Sequence, residues 1–192
     1  MQADLLVERL EVHGTRVCAT HEPGGTPLGD QVRQLVLLRD DLHVGARSET
    51  LLMCTSRAQL VEQFIQPALE RGEVVVCDRF ADSTLVYQGA GRGLDMQALA
   101  SVISFATAGL QPDMTVLLDL PVEIGLARKH TQQAGWNRFE AEALAFHSRV
   151  RDAYLALAQG EPRRWQCFDG TKPVDALADE IWCAVAARMG LR

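Results

Sequence analysis

The chain has 192 residues, of which 47% are hydrophobic and 23% are charged, as in an ordinary soluble domain. Its formal net charge of -6 argues against a nucleic-acid polymer as a partner, because a phosphate backbone requires a basic surface. We expect a cytoplasmic protein, since no apolar run approaches the roughly 20 residues of a membrane span and no basic-then-apolar leader is recognisable.

The five cysteines are odd in number, lie far apart and show no paired metal-ligand spacing. We therefore expect reduced, mostly buried thiols, which is typical of the cytosol. No metal ligand can be named from this pattern. A small phosphorylated ligand stays compatible with the negative net charge, because a few convergent arginines are enough to hold it.

Helices and strands are predicted to alternate along the chain. Apolar spacing predicts helices over Met1–Leu10, Leu28–Leu38, Ser48–Ile65, Asp95–Ala108, from Pro121 onward, over Glu140–Gln159 and over Pro173–Met189. Strands are predicted over Arg16–Thr20, Val74–Cys77, Thr115–Asp119 and Trp165–Asp169. The β-branched run at Val74 indicates a strand that is buried on both faces.

This alternation predicts an α/β fold, with an open, mostly parallel sheet flanked by helices in three layers. No linker or internal repeat interrupts the sequence, so residues 1–192 are expected to form one domain. In such sheets a ligand binds beyond the carboxyl ends of the strands, and the residues that follow each strand are the candidates for a site.

Two segments stand at such ends, and we interpret both as loops that open on one crevice. The first is Glu22-Pro23-Gly24-Gly25-Thr26, whose two glycines would let backbone amides approach an anion. The second covers residues 78–93 and begins with Asp78-Arg79, an arginine placed to bind phosphate oxygens. Either segment alone is equally compatible with a tight turn or a surface ion pair.

Together the two segments resemble the bacterial thymidylate kinase family, and the match runs over essentially the whole chain. Other pieces of the resemblance are Leu51-Leu52-Met53 with Arg57-Ala58, Tyr87-Gln88 with Gly91-Arg92-Gly93, Pro112-Asp113 before Leu118-Asp119, and Asn137-Arg138-Phe139-Glu140. The resemblance implies a fold of the phosphate-loop kinase type. It also implies phosphoryl transfer from ATP to dTMP, which gives dTDP and ADP in nucleotide biosynthesis.

The resemblance implies a dTMP pocket. Arg57 would donate to the thymine carbonyl, Met53 would line the base pocket, Ser83 and Thr84 would bind beside the ring, and Tyr87 would crowd the sugar. The other substrate-binding residues implied by the family pattern are Pro23, Gly24, Gln88 and Arg92. The alternative for Arg57 is a solvated helix residue.

The resemblance also implies the catalytic groups. Arg79 would bridge the acceptor phosphate and the transferring group, with Asp78 and Glu22 as nearby acids that could instead only orient an arginine. The polar stretch 128–138 resembles a lid over the donor phosphates, with Arg128 and Arg138 as its cations. Mg²⁺ is implied together with ATP, although no ligand for it can be named.

Two positions depart from the family pattern. Asn137 stands where an aspartate commonly precedes the arginine, which puts one lid contact in doubt. His21 stands where an arginine commonly precedes the glutamate, which removes a permanent positive charge, since histidine is mostly neutral at pH 7.

A larger departure is the absence from this sequence of Gly-x-x-x-x-Gly-Lys-Ser/Thr, the loop that cradles the donor phosphates. In the family the strand before this loop is central, so we expect that the first central strand and its loop are missing. A chain that lacks them should bind ATP poorly and turn over little.

Two rival functions remain open. The chain could be a kinase for another nucleoside monophosphate, or a non-catalytic protein that derives from a kinase and binds dTMP. A homodimer is also possible, through an apolar helix face at Val61 and Phe64. Packing of that face inside the domain is an equally good interpretation.

Overall fold

The computed structural model describes residues 1–39, 41–132, 139 and 142–191. The strands are β1 (Val17–His21), β2 (Val74–Asp78), β3 (Thr115–Asp119) and β4 (Trp165–Asp169). The helices are α1 (Gln2–Val12), α2 (Pro27–Arg33), α3 (Ala46–Leu60), α4 (Gln66–Glu70), α5 (Ala81–Thr84), α6 (Met96–Thr107), α7 (Val122–Gln132), α8 (Leu144–Gly160) and α9 (Val174–Met189). Wider π-helical turns extend α2 over Gln34–Leu38, α3 over Val61–Ile65 and α5 over Leu85–Gly91.

Two of the described helices begin with a side-chain cap. The Thr26 side chain accepts a hydrogen bond from the Gly29 amide at the start of α2, and Asp95 accepts one from the Ala98 amide at the start of α6. Such caps satisfy backbone donors that have no partner within the helix. They fix where each helix begins, and the start of α2 directly follows the first predicted site loop.

The described strands form two parallel pairs, β1 with β2 and β3 with β4. The prediction of parallel strands among helices is confirmed, but no ladder joins the two pairs within the described residues to make one open sheet. Two separate pairs are what the removal of a central strand would leave. The absence of that strand from the sheet remains a prediction.

Helices cover both faces of β2, as the three-layer prediction requires. Val74 and Val76 pack with Leu10 of α1 and with α9, in a core that also reaches β3 and β4. Val75 and Cys77 point to the other face and pack against a cluster that contains Leu60. The strand residues are nevertheless only half-buried, because β2 has β1 as its one strand neighbour in the described residues.

The structure corrects one further expectation, which concerns the cysteines. Only Cys54 is buried, whereas Cys167 and Cys183 are exposed, so the thiols are free but not mostly buried. Val61 is buried in the Leu60 cluster and Phe64 packs against it, so this face packs inside the domain. No helix among the described residues is long and apolar enough to cross a bilayer.

Candidate functional site

The two predicted site loops lie side by side at the carboxyl ends of β1 and β2. The parallel register pairs His21 with Asp78, and the Glu22 amide donates to the Asp78 carbonyl over 2.9 Å. Because parallel strands end at the same edge of a sheet, the side chains that follow them converge. The structure therefore brings both loops to one place.

A cavity of about 290 Å³ opens at this edge. Its described lining residues are Glu22, Pro23, Arg33, Leu37, Met53, Arg57, Asp78, Arg79, Ser83, Thr84, Tyr87, Gln88, Lys129 and Phe139. Ten of these were predicted as site residues from the sequence. The individual roles assigned to them stay predictions.

Arg57 and Glu22 form an ion pair in the wall of the cavity. Arg57 Nε and Nη2 each lie 2.8 Å from Glu22 Oε2, and Nη2 also donates to Thr84 Oγ1 over 3.0 Å. Arg57 is 2% exposed and is therefore not the solvated helix residue of the alternative interpretation. α3 supplies this arginine, and the end of β1 supplies its carboxylate.

Glu22 has a second carboxylate oxygen that is not engaged. Oε1 is buried and has no hydrogen-bond partner among the described residues. Burial raises the pKa of Glu22, and the Arg57 guanidinium acts in the opposite direction. A buried acceptor without a partner in a cavity wall is suited to bind a ligand group or a cation.

A helix that the sequence interpretation missed carries the next group of residues. The sequence predicts one loop over residues 78–93, but α5 and its π-helical turn run from Ala81 to Gly91. Ser83 and Thr84 lie one helical turn before Tyr87 and Gln88, which explains why all four line one cavity.

Arg79 has a strained backbone at the start of this segment. Its φ is +68°, in the left-handed region that non-glycine residues rarely adopt. The side chain is exposed, and its guanidinium carbon lies 5.2 Å from the centre of the Tyr87 ring. Electrostatic interaction with the Tyr87 phenol raises the pKa of Arg79, so the arginine stays cationic.

Tyr154 of α8 supports the pocket although the sequence did not reveal it. Its hydroxyl lies 2.9 Å from Ser83 Oγ, and its ring contacts Tyr87 edge to face. Burial raises the pKa of Tyr154 to about 12, so the phenol is protonated at neutral pH. In the sequence, a tyrosine in the middle of an amphipathic helix indicates only a residue that packs in the core.

Four further lining residues were also missed. Arg33 at the end of α2 donates to the Pro23 carbonyl over 2.9 Å, and Lys129 reaches the cavity from α7. Leu37 and Phe139 are buried and belong to the core cluster beneath the cavity. In the sequence, Arg33 could have been identified only by its position two helical turns after the loop of residues 22–26.

Gly24 is not among the lining residues, and the backbone amides of the double glycine are already engaged. Gly24 N donates to Ser56 Oγ and Gly25 N to Asp30 Oδ1, each over 3.1 Å. Gly24 has a φ of +133°, and a Cβ there would come within 2.5 Å of His21 Nε2. The two glycines make a tight turn, and their amides do not form an open anion cradle.

Arg92 also lies outside the lining. Nη1 lies 2.5 Å from Glu142 Oε1, while Nε and Nη2 each lie 3.4 Å from the two oxygens of Glu49. Its guanidinium carbon is 5.0 Å from the centre of the Phe146 ring. In this arrangement Arg92 links three helical segments behind the cavity wall, and its contact with a substrate stays a prediction.

The predicted lid begins inside a helix. Arg128 belongs to α7 and donates to the carbonyls of Gly170 and Thr171, beyond the end of β4. The helical spacing of 122–132 continues through the polar residues that suggested a loop. Residues 133–138 of the predicted lid, which include Asn137 and Arg138, lie outside the described residues. Glu140, the start predicted for the following helix, also lies outside them.

A family model and individual relatives that match this chain all describe the same family. The family model described as thymidylate kinase matches residues 1–181. A thymidylate kinase of Thermomicrobium roseum is 48% identical over 188 residues, which cover 98% of this chain and 89% of that protein. Thymidylate kinases of Deinococcus radiodurans and Pseudomonas putida are 49% and 47% identical, over 95% and 93% of this chain and 88% and 84% of their own lengths.

Proposed function

The chain belongs to the thymidylate kinase family, whose members phosphorylate dTMP in nucleotide biosynthesis, and we propose that its cavity holds dTMP as the acceptor of a phosphoryl group from ATP. The products are dTDP and ADP. Residues 1–192 form one kinase domain.

The observation that carries the proposal is the charge of the cavity. Among the described lining residues, Arg33, Arg57, Arg79 and Lys129 are cationic, whereas Glu22 and Asp78 are the carboxylates. The chain as a whole has a net charge of -6, so this local excess of cations is opposite in sign to the rest of the protein. A cavity of this size with such a lining suits a small anion such as a nucleoside monophosphate.

The buried end of the cavity recognises the base. Arg57 is held by Glu22 and Thr84, so its remaining donor capacity is fixed in direction and suits a ring carbonyl. Met53, Pro23 and Ser83 flank the ring, and Gln88 faces it from the helix of α5. The Tyr87 ring, packed against Phe139 and Tyr154, limits space beside the sugar.

Arg79 and Arg33 bind the phosphate at the open end of the cavity. Phosphoryl transfer requires positioned groups and compensating charge, and an exposed arginine on a strained backbone segment provides both. Arg79 therefore contacts both the acceptor phosphate and the transferring group. Asp78 orients this region from the end of β2.

Mg²⁺ fits the carboxylates of this site. No cluster of three or more histidine, cysteine or acidic side chains suited to a metal occurs among the described residues. Mg²⁺, however, is commonly bound by one or two carboxylates together with phosphates and waters, and the free Oε1 of Glu22 and the carboxylate of Asp78 provide two. When bound with ATP, the ion compensates charge on the phosphates.

The donor side of the site is incomplete within residues 1–192. It contains no Gly-x-x-x-x-Gly-Lys-Ser/Thr loop, so residues 1–192 bind ATP poorly and turn over little, although Arg128 and Arg138 remain as lid cations. The first central strand, whose place would be between the β1–β2 and β3–β4 pairs, accompanies this loop. The protein acts in the cytoplasm on small nucleotides, without a nucleic-acid polymer or a membrane, and a homodimer is compatible with it.

Calorimetric titration of the 192-residue chain tests the proposal. We expect dTMP to bind, and dCMP, dGMP and AMP to bind at least tenfold more weakly, because each lost or mismatched hydrogen bond in a buried site is costly. ATP should bind poorly and dTMP-dependent ADP release should be low. Preference for another monophosphate would support the rival kinase, and failure to bind any of them would contradict the proposal.

A non-catalytic protein that binds dTMP is the second candidate. Extending the chain at its amino terminus with a strand and a phosphate loop separates the two. Restored ADP release would identify a kinase, whereas unchanged dTMP binding with no turnover would identify a binding protein. Normal ADP release by the unextended chain would refute the proposed impairment.

A further inference from the structure

Gln88 in the cavity wall has a hydrogen-bond partner behind the wall. Its side-chain Nε2 donates to Glu49 Oε1 over 2.8 Å, and both residues are almost completely buried, at 2% and 1% exposure. Glu49 lies in the first turn of α3 and is not among the lining residues of the cavity. Glu49, which lies outside the cavity, therefore holds the side chain of Gln88, which lines it.

The chemistry of Glu49 fixes which end of the Gln88 amide it can meet. An ionised carboxylate only accepts hydrogen bonds, so the NH₂ group of Gln88 must point toward it. The opposite orientation would place the amide oxygen against a carboxylate oxygen in a buried setting, where such repulsion is strong. The amide carbonyl is then the end that Gln88 can offer to the cavity.

Arg92 supports this arrangement from the other side. Its Nε and Nη2 lie 3.4 Å from Glu49 Oε1 and Oε2, and they compensate the buried negative charge. Glu49 also benefits from its position at the amino-terminal end of α3, where backbone amides favour an anion. These contacts hold the Glu49 side chain in place behind Gln88.

We propose that Glu49 is a positioning residue for base specificity, because it holds the Gln88 amide as a hydrogen-bond acceptor beside the donor Arg57. This acceptor and donor match a ring that has an N–H next to a carbonyl, as in thymine. They oppose a ring that has an unprotonated nitrogen next to an amino group, as in cytosine. The inference rests on the proposed dTMP site and adds a determinant that lies outside it.

Paired affinities for two ligands test this role. The ligands are dTMP and 5-methyl-dCMP, which differ only along the edge of the ring that Gln88 and Arg57 would contact. Glu49→Met keeps the length of the side chain but removes the acceptor, so the Gln88 amide can rotate. We expect the preference for dTMP over 5-methyl-dCMP to fall about tenfold, with weaker dTMP binding and equal or stronger binding of 5-methyl-dCMP.

Two matched variants separate positioning from a structural role. Glu142→Met removes the other carboxylate partner of Arg92 and should leave the ligand preference unchanged. Glu49→Gln keeps a carbonyl acceptor and should recover most of the preference. A parallel loss of affinity for both ligands in Glu49→Met, or an unchanged preference, would overturn the inference.

Gln88→Met provides a test that does not depend on the folding of a Glu49 variant. It removes the amide itself, so dTMP should bind about three- to tenfold more weakly while 5-methyl-dCMP changes little. Retention of the parent preference by Gln88→Met would also overturn the inference. Failure of the parent chain to bind dTMP would instead remove the proposed function, and this is seen before any variant is made.

Discussion

Arg57 binds a single oxygen of Glu22, since its Nε and Nη2 both lie 2.8 Å from Oε2 and leave Oε1 without a described partner. Both side chains are almost fully buried. Each of the two charges therefore depends on the other for compensation in the wall of the cavity. Removing either residue leaves the other as a buried charge.

Replacing Arg57 by methionine should destabilise the fold by about 3 kcal/mol at pH 7, because the Glu22 carboxylate would lose its counter-ion in a buried setting. Urea unfolding followed by circular dichroism measures the change. The double variant R57M/E22M, in which both charges are absent, should recover most of the loss. Equal losses in the single and double variants would contradict this explanation.

The loss in R57M should depend on pH. Without Arg57, burial is unopposed and raises the pKa of Glu22 further. When the folded-state pKa of a carboxyl is raised, its protonated form stabilises the fold. This stabilisation is fully present below the unfolded-state pKa of about 4.3 and is lost as the pH rises through the folded-state pKa. The deficit of R57M should therefore shrink as the pH is lowered from 7 toward 5. A deficit that grows as the pH is lowered would contradict a raised pKa of Glu22 as its cause.

Arg79→Met should lower the affinity for dTMP about ten- to 100-fold while the affinity for thymidine changes little, because only the phosphate would lose a charged hydrogen bond. Calorimetric titration with both ligands gives the ratio. Arg71→Met, which removes an arginine paired with Glu73 outside the cavity lining, is the matched control and should retain the parent ratio. An equal loss for dTMP and thymidine would indicate a distorted pocket.

Arg164 joins the start of β4 to the helix that carries the site. Nη1 and Nη2 lie 2.7 and 2.9 Å from the two oxygens of Asp82, a buried residue of α5. Arg164→Met should cost about 3 kcal/mol of unfolding free energy, since it leaves Asp82 unpaired. Arg39→Met, which breaks an exposed pair with Asp41, should cost less than about 1 kcal/mol. Similar losses in Arg164→Met and Arg39→Met would contradict the expected difference between a buried and an exposed ion pair.

The ion pair of Asp119 with Arg151 predicts a second pH dependence, of opposite sign. Arg151 donates to both carboxylate oxygens over 2.7 and 2.9 Å and lowers the pKa of Asp119. Stability from a lowered carboxyl pKa is present above the unfolded value of about 3.9 and is lost as the pH falls through the folded-state pKa. Because the pair is partly exposed, Arg151→Met should cost up to about 1 kcal/mol at pH 7 and progressively less as the pH falls below about 3.9, which urea unfolding at several pH values measures.

Much of the fold was predictable from periodic apolar spacing. All four strands appear where β-branched or apolar runs predicted them, because a buried parallel strand leaves a short, nearly continuous apolar signature. The helix of α5 was missed because Gly89 and Gly91 lower helix propensity and the segment follows a strand, as a loop would. The two-pair arrangement of the strands could not be read from the sequence, since register is a long-range property.

The site was predictable in so far as motifs mark it. Glu22, Arg57, Arg79 and Tyr87 all line the cavity, as the resemblance implied. Tyr154 and Glu49 were not predicted, because each acts through another residue and lies in a helix whose pattern gives only core packing. Arg92 belongs to a motif that predicted contact with the substrate, but in the structure its guanidinium pairs with Glu142 and Glu49.

The left-handed backbone at Arg79 limits which residues evolution can place there. Glycine and asparagine adopt this conformation with less strain, but neither carries a guanidinium. A drift to glycine would thus relieve this backbone strain while it removes the charge that we propose to contact the phosphate. Under that proposal, selection at this position has to retain the strained residue, which is a compromise between stability and activity at a single amino acid.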